Sequence, residues 1–222
     1  MKKCFGLLVG ISVAFCASAQ QHISFGPTVG FGHSWISTEN AVAPGYDSKF
    51  HSTYNVGVKM VYSIQTHWGV SADLKYSSEG GSFKNGTNDL VYRANYIRLP
   101  LQAVYFFGDF GDRVRPKISL GPSFGFLAGG DTKYVSNDNK ISEGHSKDMF
   151  KTFDAGLTGA VGANIRVGHN TWLNTDIGYY HGLTNMNDVS SNNMKNRSLG
   201  LNVGLAFGVG TGTGPRSAAG RK

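Results

Sequence analysis

Cysteine is nearly absent from this chain: Cys4 and Cys16, the only two, both lie within the first nineteen residues. The rest of the sequence therefore has no disulfide framework, no thiolate metal site and no cysteine nucleophile. Charged residues are also scarce, at 16%, and no segment shows the sustained period of an amphipathic helix. The run of about 20 apolar residues that a transmembrane helix needs is missing as well. A disulfide-stapled fold, a helical domain and a helical membrane span are thus excluded.

The first twenty residues, MKKCFGLLVGISVAFCASAQ, have the layout of a secretory leader. Lys2 and Lys3 precede an apolar run over 5–15, and the small residues 17–19 form a signal-peptidase site. Cys16 follows Phe15 where a lipoprotein signal needs a small residue, so lipidation is disfavoured. We predict a cleaved signal peptide over 1–19 and an exported mature protein.

The mature composition indicates strands and turns. Without Lys2 and Lys3 the formal charge falls from +7 to +5, and no basic helix or aromatic and basic cluster accompanies that excess. We therefore expect no nucleic-acid partner. The 31 glycines and the 12% aromatic content instead describe an all-β chain.

Alternation of apolar and polar residues marks eight strands. In YNVGVKMVYSI, Tyr54 to Ile64, apolar side chains occupy every second position and Lys59 lies on the opposite face. Similar segments run over 22–35, 52–64, 68–78, 92–107, 115–128, 152–167, 172–183 and 197–209. They exceed the usual strand length of about 5–6 residues and match the roughly 9–11 that cross a bilayer.

The connections between these strands alternate in length. Those at 37–51, 79–91, 129–151 and 184–196 are long and polar, and those at 65–67, 108–114 and 168–171 are short. Long external loops and short periplasmic turns are typical of an outer-membrane barrel. We predict an eight-stranded antiparallel up-and-down transmembrane β-barrel over 20–209, a flexible tail over 210–222, and both termini in the periplasm.

The two faces of the strands differ in chemistry. One face is apolar throughout, and the other is expected to form a polar network that fills the narrow lumen of an eight-stranded barrel. That network comprises Lys59, Asp73, Lys75, Arg98, Gln102, Lys117, Asp154, Arg166 and Asp176. Lys59 is predicted to pair with Asp73 on the adjacent strand. An aromatic girdle is predicted from residues near strand ends: Trp35, Tyr54, Trp68, Tyr76 and Tyr105.

A soluble lipocalin-like barrel would show the same alternation with the faces exchanged. Glycine is frequent on the polar face, whereas a solvent-facing surface favours Lys, Glu and Thr. This composition and the aromatic girdle favour the membrane barrel.

The segment NYIRLPLQAVYFFGDFGDRVRPKISLGPSFGFLAGG, residues 95–130, resembles the centre of the PorT-like outer-membrane β-barrel family of Bacteroidota. The matching motifs are Tyr-Ile-Arg-Leu-Pro-Leu from Tyr96, Arg-Pro-Lys-Ile from Arg115 and Gly-Pro-Ser-Phe-Gly from Gly121. The resemblance implies an eight-stranded outer-membrane barrel, and only some family members are tied to type IX secretion. It supplies no catalytic motif.

No sequence motif indicates an enzyme or a cofactor. Gly121 to Gly125 fits Gly-x-Ser-x-Gly, but Ser123 lies within a predicted strand and no helix follows it. The seven histidines never occur at metal-ligand spacing. We expect a non-enzymatic barrel with a structural, binding or secretion accessory role and no cofactor. Its expected partners are outer-membrane lipids, lipopolysaccharide and envelope or secretion-machinery proteins. A small lipid-modifying enzyme and a soluble periplasmic carrier remain the alternatives.

Overall fold

The computed structural model describes residues 23–38, 47–137, 139–189 and 193–209. The predicted signal peptide and C-terminal tail lie outside these residues. The strands are β1 (Ile23–Thr38), β2 (Asp47–Lys49), β3 (His51–Ser63), β4 (Trp68–Asn85), β5 (Asn88–Phe106), β6 (Val114–Gly129), β7 (Asp131–Ser136), β8 (Asn139–His145), β9 (Phe153–Arg166), β10 (Thr171–Gly182) and β11 (Met194–Val209). One short 3-10 helix spans Ser146–Asp148. The described part of the chain holds no helix that is both long and apolar enough to cross a membrane.

Eight of the strands close into a ring in the order β1, β3, β4, β5, β6, β9, β10 and β11, each antiparallel to its neighbours. The seam between β1 and β11 places Ile23 opposite Val209 and Thr38 opposite Met194. The predicted all-β antiparallel fold is confirmed, and the ring has the predicted eight strands.

The described chain has eleven strands rather than eight, because two predicted loops contain three further strands, and a third predicted loop is occupied by β4 and β5 themselves. The largest error concerns 79–91, which is no loop: β4 and β5 continue through it to a tight turn at Gly86. Gly86 has a φ of +56°, a conformation that glycine adopts without strain. The regions predicted as the loops 37–51 and 129–151 contain β2, and β7 with β8. These three strands join the long β4–β5 hairpin in an extension beyond the ring.

The barrel therefore has two unlike ends. The hairpin end carries β2, β7, β8 and the top of the β4–β5 hairpin. The turn end carries the three short connections at 64–67, 107–113 and 167–170, and β1 begins and β11 ends there.

The wall of the ring is apolar outside and polar inside. Phe31, Leu120 and Leu74 expose 71%, 63% and 59% of their surface, whereas Asp154 and Asp176 expose 0% and 3%. This arrangement is opposite to that of a lipocalin-like barrel, whose apolar face lines the interior.

Candidate functional site: the polar lumen

Inward positions on six ring strands bring charged side chains from distant parts of the chain together. Since inward residues on a strand are two apart, each strand contributes one or two of them at different depths. Six of the nine predicted lumen residues expose at most 7% of their surface: Asp73, Arg98, Gln102, Lys117, Asp154 and Asp176. Lys59, Lys75 and Arg166 are half-buried.

Nearest the hairpin end lies a group that we call the Arg98 cluster. It consists of Glu79, Arg98, Asp154, Tyr180 and Asn196. Arg98 donates from Nε and Nη2 to the two oxygens of Glu79, both at 2.5 Å, and from Nη2 to Asp154 Oδ2 at 2.7 Å. Tyr180 donates to the same Asp154 oxygen at 2.8 Å, and Asn196 donates to Glu79. One guanidinium thus holds two buried carboxylates.

Aromatic rings enclose this guanidinium. The Arg98 Cζ atom lies 4.0 Å from the centre of the Tyr180 ring and 4.8 Å from that of Tyr96. A Cβ at Gly125 would lie 2.8 Å from Arg98 Nη1, so glycine there leaves room for the arginine. Stacking of this kind suits arginine better than lysine.

Nearer the turn end lies the Asp176 cluster: Lys59, Asp73, Lys117, Asn174 and Asp176. Lys59 Nζ lies 2.9 Å from Asp176 Oδ2 and 3.9 Å from Asp73 Oδ2. Lys117 Nζ lies 2.8 Å from Asp176 Oδ1 and donates to Asn174 at 3.1 Å. The predicted pairing of Lys59 with Asp73 is therefore the longer contact, and Asp176, on the far side of the lumen, is the closer partner.

A cavity of about 50 Å³ adjoins the Arg98 cluster. Lys75 and Ser123 line it together with Arg98, and Lys75 has no carboxylate within 4 Å among the described residues. A cavity of this size and polarity is large enough for a few waters. Gln102 donates to the carbonyl of Thr158 at 3.4 Å.

Arginines close the turn end. Arg166, predicted to belong to the lumen network, instead donates from Nη2 to the carbonyl of Phe110 in the 107–113 turn, at 2.7 Å. Arg115 donates to Gly108 at 3.2 Å and also to the carbonyl of Thr66, and its guanidinium carbon lies 4.2 Å from the centre of the Phe106 ring. Both arginines thus tie short turns to the barrel.

A hydrophobic cluster closes the hairpin end, and we call it the apolar cap. Its buried members are Ile36, Phe83, Tyr92, Ala94, Tyr96, Leu127, Phe150, Met186 and Met194. They come from the tops of the ring strands and from the segments 146–151 and 183–189. The cap lies directly above the Arg98 cluster, with Tyr96 common to the cap and to the rings around Arg98.

Sequence reasoning missed Glu79, the main partner of Arg98, because it assigned position 79 to a loop. A signal was present. Lys75, Ser77 and Glu79 keep the two-residue spacing of one strand face, and Asn85-Gly86 is a strong hairpin turn signal. Together these would have extended β4 past Glu79.

The predicted girdle residues lie at both ends of the wall. Trp68 and Tyr105 pack edge to face with centroids 5.0 Å apart at the turn end. Trp35 packs against Phe50 at 5.3 Å near the hairpin end, where Tyr54 and Tyr76 expose 50% and 38% of their surface.

Comparison with known proteins shows the family. The model of the outer membrane protein beta-barrel domain matches residues 18–188. The chain belongs to this family. A comparison with curated protein sequences gives no match. The protein is therefore an outer-membrane β-barrel, its apolar wall faces lipid, and the PorT-like subfamily stays a prediction.

Solved structures of outer-membrane proteins match most of the chain at low sequence identity. The outer membrane protein OprG from Pseudomonas aeruginosa is 14% identical, with a TM-score of 0.54 over 85% of this chain and 96% of that one. Neisserial surface protein A is 15% identical, with a TM-score of 0.47 over 83% and 96%. The similarity to OprG supports the barrel fold, and no activity is inferred from it.

Proposed function

We propose that this barrel is a closed, non-enzymatic element of the outer membrane with a structural, binding or secretion accessory role. The observation that carries the proposal is the filled bore. The apolar cap, the Arg98 cluster and the Asp176 cluster occupy successive levels of the lumen. In a barrel this narrow, paired side chains are expected to block a continuous water path for ions.

Conductance in planar bilayers tests the closed bore. The reconstituted protein should be nearly silent, because opening a path would separate buried ion pairs at a cost of several kcal/mol. A stable, large conductance would overturn the proposal and make the protein a pore. Sedimentation with membranes in detergent-free extracts tests the soluble-carrier alternative, which predicts release of the protein.

The non-enzymatic part of the proposal rests on Ser123 at the centre of the Gly-x-Ser-x-Gly match. Ser123 exposes 0% of its surface, and its hydroxyl has no hydrogen-bond partner among the described residues. A serine nucleophile needs a base within about 3 Å and an open approach for substrate. A Ser123→Ala variant should match the wild type in lipase and phospholipase assays of detergent extracts, and a loss of hydrolysis would contradict the proposal.

The orientation belongs to the same proposal: the hairpin end faces outward and both termini face the periplasm, as in bacterial barrels with short periplasmic turns. A membrane-impermeant maleimide should label a cysteine placed at Asn139 in intact cells and miss one placed at Asn170. Labelling in the reverse pattern would invert the orientation.

A secretion role follows from the resemblance of 95–130 to PorT-like proteins. We propose that deletion of the gene reduces export of proteins that carry C-terminal sorting domains. Normal export in the deletion strain would leave only the structural and binding roles.

A further inference from the structure

A basic and aromatic patch lies on the outside of the barrel near the hairpin end. We call it the rim patch, and it comprises His33, Trp35, Phe50, Tyr179, His181 and Arg197. Trp35 lies directly opposite Arg197 in the β1–β11 ladder, and His181 lies opposite Arg197 in the β10–β11 ladder. Side chains at such positions on the same face are about 5 Å apart at Cβ. Arg197 is thus flanked by an indole and an imidazole.

The neighbouring rings complete this row. Phe50 packs edge to face against Trp35, with ring centroids 5.3 Å apart. The Trp35 ring also contacts the ring of Tyr179, on the other side of β11, with centroids 6.2 Å apart. Tyr179 and His181 share a hydrogen bond of 3.2 Å between Oη and Nδ1. The next row has Leu199 between His33 and Tyr179, and the row below that is apolar, with Leu201 between Phe31 and Ile177. The rim patch therefore lies at the upper border of the lipid-facing wall.

Among the residues that the structure describes, Arg197 has no carboxylate partner. No carboxylate of the described segments lies within 4 Å of it, and its Nε is shielded from solvent without a hydrogen-bond partner among the described residues. Every lumen cation but Lys75 has a carboxylate or carbonyl partner. A half-buried guanidinium at the border of the wall, with its Nε–H unpartnered among the described residues, is suited to a ligand anion.

We propose that the rim patch binds the phosphate of a lipid A headgroup in the outer leaflet. Arginine presents a planar fork that matches phosphate geometry, and tryptophan and tyrosine prefer the headgroup level. Trp35 and Phe50 offer ring faces to the glucosamine, and acyl chains lie along the apolar row below. This inference rests on the proposed orientation, in which the hairpin end meets the outer leaflet.

Native mass spectrometry of the full chain in detergent micelles tests the site with bisphosphorylated lipid A and its dephosphorylated counterpart. The wild type should bind the bisphosphorylated form at least about tenfold more tightly, which is the effect of one good charge-assisted contact. Arg197→Gln should remove this difference, and Arg197→Lys should keep part of it. Lys147→Gln, at an exposed cation of the hairpin end outside the rim patch, should bind like the wild type.

Three results would overturn the site. Equal affinity for both lipids would mean that only the acyl chains bind. Displacement by millimolar inorganic phosphate would mean that a free anion is preferred. An equal loss of lipid A affinity in Lys147→Gln would mean diffuse electrostatic attraction.

Heat-modifiable mobility on gels reports folding of each variant, and if Arg197→Gln misfolds, His181→Gln provides the same comparison. A silent bilayer and surface labelling at Asn139 would keep the proposed function intact even if lipid A does not bind.

Discussion

The two ion clusters of the lumen have opposite designs. In the Arg98 cluster, one cation contacts two carboxylates. In the Asp176 cluster, one carboxylate contacts two lysines, and the second carboxylate, Asp73, lies 3.9 Å from Lys59 Nζ. The Arg98 side chain exposes 3% of its surface, and those of Lys117 and Lys59 expose 3% and 13%. An arginine fork can satisfy two partners within one plane, whereas a lysine is a point charge that tolerates looser geometry. The level where one cation holds two carboxylates therefore uses arginine, and the level where two cations share one carboxylate uses lysine.

The clusters also depend on each other through charge. Glu79, Asp154 and Arg98 carry one excess negative charge, while the lysines and aspartates of the Asp176 cluster balance. Lys75 follows Asp73 and precedes Glu79 on the inward face of β4, and its charge would neutralise the excess. A neutral lumen is the arrangement with the smallest desolvation penalty.

The largest expected effect is that of Arg98→Met, which leaves two buried carboxylates without a cation. We expect a loss of about 3–5 kcal/mol in the free energy of unfolding, measured by urea titration of the protein in lipid vesicles. Arg98→Lys should recover only part of it, because an ammonium cannot make both fork contacts. Full recovery by lysine would show that the two clusters do not differ in design.

A smaller loss is expected at the Asp176 cluster. Asp176→Asn removes the carboxylate that both lysines contact and should cost about 2–3 kcal/mol, while Asp73→Asn should cost about 1 kcal/mol or less. The same urea titration compares them. Equal losses would restore Asp73 as a principal partner of Lys59.

A double-mutant cycle sharpens that comparison. Lys59→Met with Asp176→Leu should show a coupling energy of about 1–2 kcal/mol, and Lys59→Met with Asp73→Leu about 0.5 kcal/mol, because coupling follows direct contact. Strictly additive losses of unfolding free energy in both cycles would show that these ion pairs do not stabilise the barrel.

The smallest effect is expected at the exposed ion pairs of β7 and β8. The hydrogen bond from Lys140 and the charges of Lys140 and Lys133 hold the pKa of Glu143 below its usual value. A depressed carboxyl pKa stabilises the folded state above the unfolded pKa, and that stability is lost as the pH falls through the folded pKa. Because the Glu143 side chain is exposed, salt and water screen the effect. Glu143→Gln should unfold like the wild type at pH 7 and at pH 4, and a pH-dependent difference would contradict this.

Sequence periodicity was enough to predict the eight strands of the ring and the face to which their side chains point. Alternation assigns Asp73, Asp154 and Asp176 to one face without knowledge of the fold, since a strand has only two faces. It also assigns the lipid-facing wall. The three extra strands were missed because they are short and polar, and such segments carry no face pattern.

The partners inside the lumen were not predictable from periodicity. Lys59 lies opposite Asp73 in the β3–β4 ladder, which is why that pairing was expected. Its closer contact with Asp176 depends on the distance between β3 and β10 across the closed barrel. Strand tilt and stagger set that distance, and no local sequence pattern encodes them. Arg166 likewise shares the inward face, but its depth places it at the turn.

The seam between β1 and β11 has a kinetic consequence. All other ring neighbours are consecutive or nearly consecutive along the chain, but the seam joins Ile23 to Val209. It is the least local step, with the largest loop-closure entropy, and its two strands are open edges until it forms. Asp176 on β10 meets Lys59 on β3 only across the closed ring. Formation of this last ion pair and closure of the wall are therefore one event, and a half-closed barrel would hold Lys59 apart from its closest carboxylate. Such a chain is expected to insert in an all-or-none step.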